Sequence, residues 1–283
     1  MQPIIDTHVH IWDLERGHYE WLKGDTSILN RTYSFDALEP YLKEANVTQC
    51  VLVQADNALD DTERMLETAN VYAQVVGVVG WLPLMNPKET LSLLQEKYLQ
   101  EPYFKGVRHL IHNEPDPTWL LQANVMESLR ILSTYQIPFD VVGTTTEHLN
   151  TVLKVAHQLP ELRMVLDHLN QPPIVTKERL GKWRELMNEA AQHDNVYCKI
   201  SGLGTTTGTL QLWTKEDIKP YIMYVLETFG HERCFCGGDW PVSLLAGSFK
   251  KIWNAYQSIV KEELSASEQE KVLCGNAQSF YHL

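Results

Sequence analysis

Two histidines near the N-terminus have a spacing that lets their side chains act together. If the segment from Asp6 to His10 continues as a β-strand, alternation places Asp6, His8 and His10 on one face. Two imidazoles that converge on one point suit a divalent metal ion, or a pair of hydrogen-bond donors to a substrate oxygen. An isolated pair of this kind is more often structural, but its place at the end of the first proposed strand favours a functional role.

A third histidine and an aspartate follow two later apolar runs. His168 comes directly after residues 165–167, and Asp239 comes directly after residues 236–238. Each of them alone would also suit a capping or turn position. The strands concerned are the first, sixth and eighth proposed, and the ends of these strands meet in the mouth of a closed barrel. We therefore expect the three histidines and Asp239 to form one site.

Elements able to position such a site recur along the chain. Short β-rich apolar runs alternate with longer segments of helical spacing, which is typical of βα units around a parallel sheet. The proposed strands are 4–5, 50–53, 75–82, 106–110, 138–142, 164–166, 196–200 and 234–236. The proposed helices are 35–44, 60–72, 89–99, 124–135, 146–159, 177–193, 217–229, 249–262 and 266–273. Eight strands without a glycine-rich phosphate loop favour an α/β fold of the (β/α)₈ TIM-barrel type over a doubly wound open sheet.

Length and composition agree with one barrel domain over residues 1–283. The 283 residues are close to the roughly 250 typical of this fold, and no linker or low-complexity tract divides them. The formal net charge of -12 argues against nucleic acid as a partner. The longest apolar run, 75–85, is far shorter than the ~18 residues of a membrane span. Five cysteines without a CxxC pair, and an N-terminus without an export signal, predict a cytoplasmic protein.

The motifs, taken in order, resemble a known family. Residues 6–13 (DTHVHIWD) and 19–22 (YEWL) resemble the start of the amidohydrolase-related family that contains L-fuconolactonases and L-rhamnonolactonases. Further matching stretches follow in the family's order and carry the resemblance over nearly the whole chain. They are 53–55, 77–81, 105–109, 167–168, 198–203, 237–242 and 275–277.

This resemblance implies a TIM barrel that hydrolyses small cyclic esters of sugar acids, so that the expected partner is a small sugar lactone. The implied catalytic residues are His8, His10, His168 and Asp239. Asp239 would act first as general base towards water and then as general acid towards the leaving ring oxygen. His8, His10 and Asp239 would also be the ligands of one divalent ion such as zinc. Since the family includes relatives that work without metal, the resemblance leaves the ion dispensable.

Four further residues are predicted to bind substrate. Arg108 lies on the fourth proposed strand, and its guanidinium can hold two oxygens at once. Trp21 and Trp240 are close in sequence to the catalytic residues and would wall a pocket for a sugar ring. Lys199 belongs to the family motif at 198–203.

The sequence departs from the family pattern in places that bear on the substrate and the metal. Gln171 stands where a lysine is expected before proline, and residues 204–207 lack the expected Thr-Glu pair. On the fifth strand, Asp140 replaces the histidine ligand of metal-dependent relatives. A metal-dependent decarboxylase or amide hydrolase on the same barrel therefore stays open, as does a barrel that binds a sugar acid without catalysis. A homo-oligomer also stays open.

Overall fold

A closed ring of parallel strands forms the centre of the molecule. The structure, a computed structural model, describes residues 3–176 and 181–283. Its eight strands pair in chain order. They are β1 Ile5–Val9, β2 Gln49–Val53, β3 Val75–Gly80, β4 Phe104–His109, β5 Phe139–Val141, β6 Met164–Leu166, β7 Val196–Ile200 and β8 Cys234–Cys236. The ring closes just beyond β8, where the Asp239 N–H donates to the His8 carbonyl and the His10 N–H donates to the Trp240 carbonyl. The predicted (β/α)₈ barrel is confirmed.

Helices follow the strands and cover the outside of the ring. They are α1 Phe35–Glu44, α2 Leu59–Val71, α3 Pro87–Glu96, α4 Ala123–Thr134, α5 Thr146–Gln158, α6 Lys182–Ala191, α7 Lys215–Phe229, α8 Phe249–Glu263, α9 Ala266–Glu270 and α10 Asn276–Tyr281. Part of the predicted helix 177–193 lies outside the described residues, since 177–180 are not described. The predicted helix 266–273 is α9 followed by a π-helical turn, Lys271–Gly275, and α10 was not predicted.

Local sequence explains where several helices begin. Ser248 accepts a hydrogen bond from the Lys251 N–H at the start of α8. Ser265 and Glu268 form a capping box at the start of α9, each side chain accepting from the other residue's backbone N–H. Such caps satisfy N–H groups that have no partner within the helix. Along α8 the apolar side chains recur at helical spacing, so that one face packs on the barrel.

The strands are buried on both faces, as expected where helices cover a parallel sheet. Their β-branched residues, such as Val51, Val78 and Val165, are fully buried. The five cysteines, all within the described residues, are buried and form no disulfide. No helix within 3–176 or 181–283 has both the length and the apolar character needed to cross a membrane.

Candidate active site

The end of β1 carries two imidazoles that point at one carboxylate. His10 Nδ1 is 2.7 Å from the Val53 carbonyl oxygen, which can only accept, so Nδ1 carries a hydrogen and Nε2 carries the lone pair of the neutral tautomer. That Nε2 is 3.6 Å from Asp239 Oδ1. His8 Nε2 is 3.9 Å from the same oxygen. The predicted convergence of the two histidines with Asp239 is therefore present in the structure.

Two glycines allow the chain after β8 to approach β1 so closely. A Cβ at Gly237 would lie 2.6 Å from the His8 Cβ, and one at Gly238 would lie 2.4 Å from Asp6 Oδ2. The Asp6 carboxylate holds the crossing together, because it accepts from the Gly238 N–H at 2.7 Å and from the His8 N–H at 2.9 Å. Burial raises the pKa of Asp6 to about 7. Asp6 thus holds the start of the barrel and the chain after β8 together and is not among the residues that line the cavity at this site.

His168 reaches the same place from the end of β6. Its backbone is left-handed (φ 54°), and Ser201 Oγ lies 2.9 Å from its Nδ1. A Cβ at Gly202 would lie 2.5 Å from His168 Nδ1 and 2.9 Å from Asp239 Oδ2, so only glycine leaves room for both side chains. Burial lowers the pKa of His168, which keeps the ring neutral at neutral pH.

Arg108 extends from β4 into the same cluster. Its Nη1 is 3.2 Å from Asp167 Oδ2 and 3.3 Å from His8 Nε2, and its Nη2 donates to the Gln54 carbonyl. Within the described part of the chain, its Nε–H has no hydrogen-bond partner. The Arg108 Nε–H is therefore free to donate, while the two terminal nitrogens fix the guanidinium in place.

A second set of charges lies deeper in the barrel. Lys199 Nζ is 2.5 Å from Asp140 Oδ2, 2.9 Å from Asp167 Oδ1 and 3.3 Å from His8 Nδ1. All four side chains are completely buried. We call Asp140, Asp167, Lys199 and Tyr281, whose hydroxyl donates to Asp140, the interior cluster.

Burial and neighbouring charge set the protonation states of the interior cluster and of His8. Burial alone would raise the pKa of Asp167, but Lys199, His8 and Arg108 hold it well below its usual range. The pKa of Asp140 rises to about 6 because burial outweighs the attraction of Lys199. Burial lowers the pKa of His8 well below its ordinary value, so its ring is neutral.

A cavity of about 260 Å³ opens onto the site. Among the described residues that line it, Asp239 is the one carboxylate and Arg108 the one lysine or arginine. The other lining residues are His10, Trp21, Ala55, Leu110, His112, Val142, Thr144, His168, Gln171, Gly202, Thr205, Thr206 and Val242.

The structure separates the predicted substrate-binding residues into two groups. Arg108 and Trp21 line the cavity, and the Trp21 indole N–H donates to the Ala55 carbonyl. Lys199 and Trp240 are fully buried and are not among the lining residues. Lys199 is held in the interior cluster, and the Trp240 ring packs edge-on against Tyr33, 5.1 Å away.

Sequence reasoning missed several of the lining residues. His112 and Thr144 lie in loops after β4 and β5, and nothing in their local pattern marks them. Gln171, Thr205 and Thr206 line the cavity too, and they fall in the two segments where the sequence departs from the family pattern. Those departures were the one sequence signal for them.

Comparison with known proteins agrees with this architecture. A family model described as amidohydrolase matches residues 5–283. The chain belongs to the amidohydrolase family. This amidohydrolase is 32% identical to L-fucono-1,5-lactonase of Burkholderia ambifaria, over 99% of its own length and 95% of the relative's. Family membership makes the protein an enzyme, as the sequence predicts.

Solved structures place the amidohydrolase among similar barrels. It matches the crystal structure of an amidohydrolase from Burkholderia multivorans with bound zinc at a TM-score of 0.90, with 28% identity over 99% of each chain. A 5-carboxyvanillate decarboxylase from Novosphingobium aromaticivorans, complexed with manganese, shares the fold at a TM-score of 0.74 and 14% identity, over 99% of this chain and 96% of that one.

The residues of this amidohydrolase fit a divalent ion. One ligand atom each from His8, His10 and Asp239 lie within 4.8 Å of one another. Two imidazole nitrogens and a carboxylate oxygen are ligands that zinc accepts, and three protein ligands leave a position for water. His8 Nδ1 lies 3.3 Å from Asp167, which is the usual partner arrangement for a metal-binding histidine. The Arg108 guanidinium at His8 Nε2 competes for the same lone pair.

Proposed function

We propose that this amidohydrolase opens a sugar-acid lactone, a 1,4- or 1,5-aldonolactone such as L-fucono- or L-rhamnonolactone, to the free acid. The observation that carries the proposal is the cavity, in which Asp239 is the one carboxylate among the described lining residues. The L-fucono-1,5-lactonase relative, similar over nearly the whole chain, supports the same substrate class.

The first step is activation of water between His10 and Asp239. With the His10 ring in its neutral form, both groups accept hydrogen bonds, His10 through Nε2 and Asp239 through Oδ1, and these atoms are 3.6 Å apart. A water that donates one hydrogen to each keeps its lone pairs free for the lactone carbonyl carbon. Asp239 takes the proton as the new C–O bond forms.

The negative charge that develops on the carbonyl oxygen is met by Arg108. Its side chain lines the cavity and is held by Asp167 and the Gln54 carbonyl, so no reorganisation is needed when the charge appears. As the tetrahedral intermediate collapses, the bond from the carbonyl carbon to the ring oxygen breaks. The protonated Asp239 then returns its proton to that oxygen.

Neutral polar groups around the cavity bind the sugar hydroxyls. Gln171, Thr144, Thr205 and Thr206 offer amide and hydroxyl groups, and the neutral His168 ring offers a further hydrogen-bonding nitrogen. Trp21 provides an apolar wall whose orientation is fixed by its bond to Ala55.

His8, His10 and Asp239 would hold a zinc-like ion where one is bound. The chemistry such an ion supplies is a lower pKa for bound water, toward ~7, and polarisation of the carbonyl. The residues described above carry out water activation, charge stabilisation and proton return with their own groups.

The charge of the cavity favours a lactone over the carboxylated aromatic substrate of a decarboxylase. Arg108 is already paired with Asp167, and Asp239 adds a negative charge. A substrate carboxylate would therefore find no lysine or arginine among the described lining residues whose charge is not already balanced by a carboxylate of the protein. The same argument favours a neutral, hydroxyl-rich substrate.

A substrate panel tests the proposal. Purified protein is given aldonolactones of both ring sizes, an N-acyl amide and a carboxylated phenol, and acid release, amine release and carbon dioxide release are followed separately. We expect acceleration over buffer with one or more lactones alone. Turnover of the amide or the carboxylated phenol without lactone hydrolysis would overturn the proposal. Saturable lactone binding without turnover would instead identify a non-catalytic binding barrel.

A further inference from the structure

The ammonium group of Lys199 has the surroundings of a bound metal ion. Oxygens of Asp140 and Asp167 lie 2.5 and 2.9 Å from its nitrogen, and His8 Nδ1 lies at 3.3 Å. His8 lies on β1, Asp140 lies on β5 and Asp167 directly follows β6, and their side chains converge on one point inside the barrel. Lys199 itself comes from a fourth strand, β7, and is completely buried.

The partners of these carboxylates show that the site is built and not accidental. The Tyr281 hydroxyl donates to both oxygens of Asp140, at 2.8 and 2.9 Å. Arg108 Nη1 donates to Asp167 at 3.2 Å. Because buried carboxylates without a nearby cation are strongly disfavoured, Asp140 and Asp167 require positive charge at this point.

We propose that Lys199 is a built-in cation that fills a second cation site in the barrel, formed by Asp140 and Asp167 beside His8. The metal centre of the native protein is thereby limited to one divalent ion at His8, His10 and Asp239. Asp140 is the carboxylate nearest to this lysine, and Asp167 is the next.

The charges on either side of the His8 ring explain this limit. One nitrogen of the ring faces Asp239 and the other faces Asp167 and Lys199. The two carboxylates of the interior cluster are balanced by Lys199 and Arg108. A further divalent ion would add two positive charges to a buried site that is already neutral, and Coulomb repulsion is strong at low dielectric.

The metal content of a variant without the Lys199 side chain tests the proposal. In Lys199→Ala the carboxylates keep their positions while the charge and the side-chain volume are lost, and oxygen ligands of this kind suit manganese. After dialysis against manganese, we expect Lys199→Ala to hold one equivalent more than wild type by elemental analysis. Lys199→Ala/Asp140→Asn should return to the wild-type value.

Two controls separate this effect from others. Lys199→Met fills the space with a neutral chain, so it should bind no additional manganese. Lys105, also on a barrel strand, is partly exposed and donates to the His282 carbonyl, so Lys105→Ala should match wild type. This readout does not depend on lactone hydrolysis, so it can fail while the proposed function stands.

Thermal unfolding shows whether each variant is folded and whether the added ion stabilises it. The added ion should raise the melting temperature of Lys199→Ala by at least about 4 °C more than that of wild type or Lys199→Met. Equal manganese content in wild type and a folded Lys199→Ala overturns the proposal. Manganese bound by wild type at Asp140 and Asp167, or Lys199→Ala that stays insoluble even when produced with added manganese, overturns it as well.

Discussion

The cavity wall and the interior cluster both contain carboxylates and cationic side chains, but these groups are paired and exposed to different extents in the two regions. In the interior cluster, Asp140, Asp167 and Lys199 are completely buried, and each charge has an opposite charge within 3.3 Å. On the cavity wall, Asp239 is 4% exposed and has two imidazoles as its neighbours. Access and pairing, more than residue type, therefore distinguish the group proposed to react from the groups that hold it.

The two regions meet at His8 and Arg108. Both side chains contact Asp167 on one side, and His8 Nε2 faces Asp239 on the other. The interior cluster therefore fixes the orientation of two side chains that also reach the cavity wall. Apart from His8 and Arg108, which contact both regions, substitutions on the cavity wall should change turnover at nearly constant stability, whereas substitutions in the interior cluster should change stability or metal content.

The largest expected effect is that of Asp239→Asn. Asn preserves the size of the side chain but cannot accept the proton, and proton transfer by a positioned group is worth ~10²–10⁴ in rate. We expect lactone turnover to fall by at least about 10²-fold while the melting temperature stays near wild type. The exposed Asp116→Asn is the matched control and should keep full activity. Near-normal turnover by folded Asp239→Asn would show that Asp239 is not the base that activates water.

Replacement of Arg108 should come next in size. Loss of one oxyanion donor costs ~10²–10³ in kcat, so Arg108→Gln should lose about 10²-fold. Arg64 offers a matched control, because it is also a buried guanidinium paired with an aspartate, Asp61, but is not among the residues lining the cavity. Arg64→Gln should lower stability without a comparable loss of turnover. Equal losses of turnover in both variants would indicate that Arg108 acts only through folding.

Gln171 should affect substrate binding more than chemistry. A lost hydrogen bond is worth ~0.5–1.5 kcal/mol, so Gln171→Ala should raise KM by about 2–10-fold with kcat nearly unchanged. Gln192, at the end of α6 and away from the cavity, serves as the control. A large drop in kcat with unchanged KM would place Gln171 in the chemical step instead.

Metal removal should have the smallest effect on kcat/KM. Because Asp239, His10 and Arg108 can carry out the steps themselves, chelation and dialysis should lower kcat by less than about threefold. Elemental analysis of wild type beside a His8→Ala/His10→Ala variant should show that the variant has lost its ion. Equal metal content in the two proteins would remove these histidines as ligands.

The barrel and the convergence of four residues could be predicted because both follow from periodic patterns. Alternating βα segments indicate the fold, and the C-terminal ends of parallel strands meet at one face. His8, His10, His168 and Asp239 were expected together for this reason, and the structure brings them together.

The sequence could not predict how far from the mouth of the barrel a side chain on a given strand would lie. Lys199 shares a motif with residues near the mouth, but its ammonium ends between Asp140 and Asp167, inside the barrel. Trp240 follows Asp239, whose left-handed backbone (φ 55°) redirects the chain, and its ring meets Tyr33. Loop residues such as His112 and Thr206 carry no periodicity that would mark them as part of the cavity.

A comparison of two lactones tests the central claim most directly. L-fucono-1,5-lactone is compared with the lactone of the same ring in which a carboxylate replaces the C6 methyl group, and kcat/KM is measured from acid release above the buffer rate. The cavity holds Asp239 and an Arg108 that is already paired with Asp167. The carboxylate of the anionic lactone would therefore be repelled by Asp239, by ~1–4 kcal/mol at a separation of 4 Å. We predict acceleration of the neutral lactone and a kcat/KM at least about tenfold lower for the anionic one. No acceleration of the neutral lactone, or preference for the anionic one, would contradict the account.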